Sequence, residues 1–281
     1  MKPYLKWPGG KSRLAQRILG HVGPGGRLVE PFVGSAAVFL QSGYEQALLA
    51  DLDPDLVGLH TAVRDEPAAV LAEAGALFVA ANNSAEAYAR LRAEFNAKTA
   101  GSARQAALML YLNRHCFNGL WRRNARGEMN VSFGAYAAPE VPAQAVLEAS
   151  ARMQAAEIRR QTFEETFEQV RAGDAVYADP PYVALSETAD FTGYAGPGFD
   201  WSAQERLAAL AAKTASEGVR VVVSNHDTAA VRALYQDAFP RVRLVEVQVA
   251  RSIAAAAGKR SSVGEVFAVF EPRAEGLRSA A

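Results

Sequence analysis

The sequence predicts an open α/β sheet interrupted by a helical insertion. Three observations carry that expectation. The first sixty residues run strand, glycine turn, helix, strand and acid in order; alanine-rich stretches with apolar residues at helical spacing take over from about Leu56 to Arg114; strand signals return near Ile158 and continue to Phe270. Strands alternating with helices build a largely parallel sheet covered on its faces. Such sheets bind ligands beyond the carboxyl ends of their strands.

The elements follow from the residues. Arg27-Leu-Val-Glu30 is a short buried strand, Pro31-Phe-Val-Gly-Ser35 a turn, and Ala36 to Gln41 the start of a helix that Gly43 stops. Gln46 to Ala50 is a second apolar run ending at Asp51. In the insertion, Asn82-Asn83-Ser84 breaks the pattern and caps a helix from Ala85 to Phe95. Cys116 to Pro142 is rich in Gly, Asn, Arg and aromatics and reads as loop and hairpin. Asp174 to Ala178 is a strand running into Asp179-Pro-Pro-Tyr182. Gln204 to Glu217 is an amphipathic helix with Gly218 at its end, and Val219 to Val223 is an apolar strand that ends in Ser224-Asn-His226. Arg243 to Val249 and Gly264 to Phe270 are two further strands.

Composition bounds the function. The chain has 281 residues, half of them apolar and 21% charged, which is ordinary for a globular protein. Its one cysteine, Cys116, excludes an internal disulfide and any multi-cysteine zinc site. The longest apolar run, Ala106 to Leu112, is far shorter than the roughly 18 residues a membrane span needs. The start, MKPYLKWPGGK, carries charge and glycine where a signal peptide would be apolar, so a soluble cytoplasmic protein is expected. Thirty basic and thirty acidic residues cancel, which argues against bulk electrostatic binding of nucleic acid. The segment Asn113 to Gly127, however, holds Arg114, Arg122, Arg123 and Arg126 and no acid, enough to grip a phosphate backbone locally.

The strongest chemical signal is Asp179-Pro180-Pro181-Tyr182 at a strand end. Two prolines fix φ twice and remove two N–H donors, so the turn's carbonyls are expected to face outward. The Asp179 carboxylate and Pro180 carbonyl can accept both hydrogens of an exocyclic amine while Tyr182 stacks on the ring that bears it. Holding both hydrogens draws the nitrogen lone pair out of conjugation and aims it at an electrophile. The plain alternative is a proline-bent surface turn. A second signal is Glu30-Pro-Phe-Val-Gly34 followed, 17 residues after Gly34, by Asp51. A glycine turn lets backbone approach a ligand, and an acid at that distance can take a ribose diol. One glycine instead of three disfavours a dinucleotide and suits a nucleoside without phosphates; an ordinary strand-to-helix turn is the alternative. Gly10-Lys11-Ser12 is not a phosphate-binding loop, because the glycine required at position 5 is Leu5.

In order along the chain stand Lys6-Trp-x-Gly-Gly-Lys11, Glu30-Pro-Phe-x-Gly34, Ala50-Asp-x-Asp-x-Asp55, Asn113-Arg-x-x-x-Asn-Gly-Leu-x-Arg-x-Asn124, Arg126-Gly-Glu-x-Asn130, Asp179-Pro-Pro-Tyr182 and Ser224-Asn-His-Asp-Thr228. From Leu5 to about Pro272 the chain closely resembles the Dam-type (D12 class, alpha group) DNA adenine N6-methyltransferases. The resemblance implies a Rossmann-like methyltransferase sheet of residues 1–55 and 146–281 with a target-recognition domain of residues 56–145. It implies S-adenosylmethionine as cofactor, contacted by Trp7, Lys11, Asp51 and Asp179, with Phe32 and Gly34 forming the turn beneath it. Asp179, Pro180, Pro181 and Tyr182 match the catalytic motif. Double-stranded DNA is the implied partner of a monomer that needs no metal. Lys6 and Arg122 match readers of guanine edges, and Phe117 and Asn118 a pair that wedges beside a flipped adenine. Arg114, Leu120, Asn124 and Tyr136 belong to the same DNA-facing set. Ser132 stands where GATC-methylating members usually have proline, and Phe117 replaces their usual tyrosine; GATC remains the favoured target. A methyltransferase acting on cytosine N4, RNA or a protein amide is the first rival, and a DNA-binding module without catalysis the second.

Other residues read as structure. Ser224, His226 and Asp227 are too close in sequence to converge as a triad. His21, His60 and His115 lack ligand spacing and are taken as packing or surface residues, and Cys116 as a packing residue. Arg251, Lys259 and Arg260 either touch phosphates or sit in a solvated loop.

Overall fold

The computed structural model describes residues 1–182, 199–249 and 263–272. The loop of residues 250–262, with Arg251, Lys259 and Arg260, lies outside the described residues. The elements in order are α1 (Ala15–Val22), β1 (Arg27–Glu30), α2 (Ala37–Gln41), β2 (Gln46–Asp51), α3 (Pro54–Asp65), α4 (Pro67–Leu77), α5 (Ala85–Ala97), α6 (Ser102–His115), α7 (Ala143–Met153), β3 (Ala156–Arg160), α8 (Phe163–Phe167), β4 (Asp174–Ala178), α9 (Trp201–Ser216), β5 (Arg220–His226), α10 (Ala229–Ala238), β6 (Arg243–Val249) and β7 (Val263–Phe270). The strands form one sheet in the order β3-β2-β1-β4-β5-β7-β6. The mixed α/β class and the helical stretch after Leu56 are therefore as expected.

Two compact units emerge: Met1–Gln16, Val33–Glu45 and Asp51–Arg160 form the first; Arg17–Phe32, Gln46–Ala50 and the described residues from Gln161 onward form the second. In the second, β1 pairs in parallel with β2 and β4, β4 pairs in parallel with β5, and β7 runs antiparallel between β5 and β6. Every residue of β1 and β4 is buried, including the charged Arg27, Glu30 and Asp174 at their ends. Val29, Val176, Val221, Val223, Leu207, Ala211, Tyr235 and Phe270 build the core beneath α9 and α10. Alanines along α9 let that helix lie close to the strands. Because β1, β4 and β5 run the same way, Glu30, Ala178 and His226 end at one edge of the sheet.

In the first unit the apolar run Ala106 to Leu112 is the wholly buried middle of α6. It packs with Leu56, Leu59 and Val63 of α3, Val70 and Leu77 of α4 and Leu91 and Phe95 of α5, all buried. Asp53 caps α3 by accepting from the Asp55 and Leu56 amides, and Ser84 caps α5 through the Ala87 amide.

Several boundaries differ from the sequence reading. Helix α9 starts one turn earlier, at Trp201, because the Asp200 side chain caps it. Strand β5 does not stop at Val223; Ser224, Asn225 and His226 are held in the sheet opposite Phe267, Val266 and Glu265 of β7. Helices α1, α7, α8 and α10 were not anticipated; α8 starts from a Thr162–Glu165 capping box. Among the described residues no helix is long and apolar enough to cross a membrane.

Candidate active site

In the second unit, β4 carries Asp179 to the sheet edge, where the Ser224 hydroxyl donates to its Oδ1 at 2.7 Å. The Tyr177 and Ser224 hydroxyl oxygens lie 2.9 Å apart, both residues being buried. Tyr182 donates to Oε2 of Glu265 at 3.2 Å, and its ring meets the His226 ring edge-on at 4.9 Å. Gln204 Nε2 donates to the Pro181 carbonyl at 2.8 Å, and Gln204 Oε1 accepts from Asn225 Nδ2 at 3.0 Å. The expectation that the proline turn shows its carbonyls outward therefore fails for Pro181, whose carbonyl accepts from Gln204. Burial, then the charge of Asp179, pushes the Tyr177 and Tyr182 phenols well above their usual range, so both keep their protons. The Phe32 ring packs on Phe163 and Phe199, with centroids 5.6 and 5.5 Å away, and so supports the turn from the core side.

The first unit holds the glycine turn. Gly34 has φ +48°, and a Cβ there would stand 3.1 Å from Cδ1 of Trp7, so a side chain at this position would crowd the indole. The Gly34 amide donates to Oδ2 of Asp51 at 3.3 Å, and Oδ1 of Asp51 accepts the Asp53 amide at 3.0 Å. Burial raises the Asp51 carboxyl, partly offset by these amides. Trp7 stacks on Trp121 with centroids 6.1 Å apart. Lys11 is buried and folds back to donate to the Gly9 carbonyl at 2.7 Å.

His60 completes the turn from behind. Its Nε2 lies 2.8 Å from the Gly34 carbonyl and its Nδ1 meets the Tyr4 hydroxyl. A carbonyl only accepts, so Nε2 carries the proton and Nδ1 accepts from Tyr4. Burial drops the His60 pKa from 6.5 to about 4, and the ring is neutral. An unfolded histidine takes a proton below pH 6.5 that the folded one refuses until about pH 4. Stability is then lost as pH falls through that window, by on the order of 3 kcal/mol. His60→Gln should flatten this part of the curve; urea midpoints at pH 6.5 and 4.5 check it, and equal losses in both proteins would refute it.

The DNA-facing candidates also lie in the first unit. Asn113 bonds both sides of the Lys6 backbone, accepting from its amide at 2.9 Å and donating to its carbonyl at 2.7 Å. The Lys6 ammonium lies 5.5 Å from the Tyr136 ring centroid, and a Cβ on Gly119 would press the Lys6 stem at 2.9 Å. Phe117 is exposed. Asn118 sits in the left-handed region at φ 54°, where its amide donates to the Tyr136 hydroxyl at 2.6 Å. The Leu120 carbonyl accepts from the Cys116 thiol, which is buried and pushed up to about 11, a packing residue as expected.

Arg122 is exposed, with Nε on Oδ1 of Asn130 at 3.1 Å. Asn124 spends its amide closing the turn, accepting from the Arg126 and Glu128 amides. The four arginines are not alike. Arg114 donates to the Tyr4 carbonyl, and Arg123 is ion-paired with Asp53 and Asp55, which leaves Arg122 and Arg126 as the exposed members. Sequence reasoning missed Ser224, Gln204, Glu265, His60 and Asn113 as supports. Ser224 and Asn113 carried a signal, since each opens one of the ordered motifs.

Among the described residues no cluster of three or more His, Cys, Asp or Glu is placed to hold a metal. Residues 7–253 match the family described as D12 class N6 adenine-specific DNA methyltransferase. The chain is 41% identical over 272 residues to the DNA adenine methylase of Vibrio cholerae, covering 96% of each chain. It is 39% identical over 271 residues to that of Escherichia coli, again covering 96% of each. It is 39% identical over 270 residues to that of Serratia marcescens, covering 96% of this chain and 98% of the relative.

Proposed function

Because this chain belongs to the D12 class of N6 adenine-specific DNA methyltransferases, we propose that it methylates adenine N6 in double-stranded GATC sites from S-adenosylmethionine, acting as a monomer that flips the target base. The observation that carries the reading is the Asp179–Tyr182 loop, whose Asp179 carboxylate, Pro181 carbonyl and Tyr182 hydroxyl are each held by a neighbouring side chain. The first unit fits the donor. Trp7 offers an indole face, Gly34 a turn without a side chain, and Asp51 a carboxylate suited to a ribose diol. Lys11 lies in the same unit, and the resemblance assigns Phe32 and Asp179 of the second unit to the donor as well. When bound, the cofactor supplies an electrophilic methyl on a sulfonium.

The chain's own residues prepare the acceptor. An adenine N6 cannot be reached within a duplex, so the base must leave the stack. Phe117 and Asn118 fill the gap, with Leu120 and Tyr136 beside them. Asp179 and the Pro180 carbonyl accept the two amine hydrogens, which aims the lone pair, and Tyr182 stacks on the ring. The extra proton that N6 acquires on methylation is then released. Asp179 offsets the positive charge on nitrogen as it develops. Recognition belongs to residues 56–145 with Lys6, and transfer to residues 1–55 and 146–281. Arg122 and Lys6 read guanines, Asn124 shapes the turn beside Arg122, and Arg114 anchors the segment that carries Lys6.

Expression in a methylation-free host, followed by mapping of methylated positions, tests this directly. N6-methyladenine confined to GATC is expected; methylcytosine, or a different adenine context, would overturn the site or the specificity. Arg122→Ala should relax the preference at one position by roughly 10- to 100-fold, the worth of one forked guanine contact. An unchanged sequence preference would remove Arg122 from that role.

A further inference from the structure

Strand β5 ends in Ser224-Asn225-His226, and each of these residues braces a different part of the catalytic loop. Ser224 holds Asp179, Asn225 holds the Gln204 amide that grips Pro181, and His226 meets the Tyr182 ring. β7 keeps all three in register.

The direction of the hydrogen bonds follows from chemistry. Ser224 has one hydroxyl hydrogen, with the Asp179 carboxylate at 2.7 Å and the Ala178 carbonyl at 3.5 Å as competing acceptors. A carboxylate only accepts, and a bond to it is the shorter and stronger, so the hydrogen goes to Asp179. The Tyr177 hydroxyl, 2.9 Å away and buried, must then donate to Ser224. The chain of bonds runs one way, from Tyr177 through Ser224 to Asp179.

We propose that Ser224 is the positioning residue of the transfer step: held by Tyr177, it fixes the plane of the Asp179 carboxylate that receives the target amine. The proposal rests on the reading of Asp179 given above. A carboxylate's terminal torsion is broad when nothing holds it. Lone pairs pointing away from the amine hydrogens would leave the nitrogen conjugated with its ring. A Ser-Asn-His stretch with no triad geometry thereby acquires a use in this fold.

The test is a single-turnover methylation assay on duplex DNA, run with the wild type, Ser224→Ala, Tyr177→Phe and Asp179→Ala. Ser224→Ala should slow transfer roughly 10- to 100-fold, the scale set by misorientation of a reacting group. The KM for the methyl donor and the Kd for DNA should stay within about twofold, since only orientation is lost. Tyr177→Phe keeps the packing and loses one hydroxyl; it should slow transfer by a smaller factor in the same direction. Wild-type transfer in Ser224→Ala overturns the proposal, as does a loss that moves KM, Kd and melting temperature together in both variants. If Asp179→Ala is inactive while Ser224→Ala is normal, only the positioning role falls. If Asp179→Ala stays active, the reading of the catalytic loop falls with it.

Discussion

Asp179→Ala should slow methyl transfer by on the order of 10²- to 10⁴-fold, the range observed when a group acting on the reacting atoms is removed. An exocyclic amine on a purine is a poor nucleophile because its lone pair is shared with the ring. Two acceptors that claim both hydrogens favour the pyramidal nitrogen that can attack. Removing the carboxylate leaves the Pro180 carbonyl as one acceptor and cancels the charge that stabilises the developing cation. It also strands the Ser224 hydroxyl, which donates to Asp179 in the intact protein. Affinity for duplex DNA should change by no more than about threefold, since phosphate and guanine contacts come from other segments. Asp179→Asn keeps the shape but presents amide hydrogens to an amine, so its loss should be nearly as great. A rate near wild type for either variant, measured as methyl incorporation in a single turnover, would remove Asp179 from the chemistry.

The largest expected effect on stability lies at the opposite end of the same strand. Arg27 and Asp174 face each other where β1 and β4 begin, joined by a fork of 3.1 and 2.7 Å. Their side chains are only 8% and 3% exposed. Asp174 also accepts the Arg171 amide, and Arg27 also donates to the Gln169 carbonyl. Asp174→Ala leaves a guanidinium buried without its counter-charge, a loss of about 3–5 kcal/mol. At about 2–4 °C per kcal/mol for a chain of this size, the melting temperature should fall by on the order of 10 °C. Arg27→Met combined with Asp174→Leu should recover much of the loss, because an apolar pair of similar volume strands no charge. Activity measured well below the melting temperature should be near normal, since the pair sits about 15 Å, one strand length, from Asp179. A shift below about 2 °C in calorimetry would refute the account.

Legibility followed burial. β1 and β4 read to the residue because apolar centres, Leu28-Val29 and Ala175 to Ala178, are flanked by charged residues and turn signals. The helices around Ala106 to Leu112 were visible in their spacing. Ser224-Asn-His226 read only as a strand end after the valines, and it took β7 to show that all three residues stay paired in the sheet. Helix α8 is five residues long and offers too little pattern to detect. The candidate site divides the same way. Asp179 to Tyr182 stood out through its two prolines, whereas Gln204 and Glu265 carry no local mark of their use. The arginine segment was legible as charge, but two of its members turn inward to Tyr4, Asp53 and Asp55.

By itself the sequence determined the sheet strands, the insertion, the motif order and hence the family, since these depend on apolar period, turn chemistry and the spacing of residue types along the chain. Only the tertiary structure decided which side chains orient the site. His60 reaches Gly34 across 26 residues, Ser224 reaches Asp179 across 45 and Arg123 reaches Asp53 across 70. A hydrogen bond is chosen by distance and direction in space, and those are set by packing rather than by the neighbours of a residue in the chain.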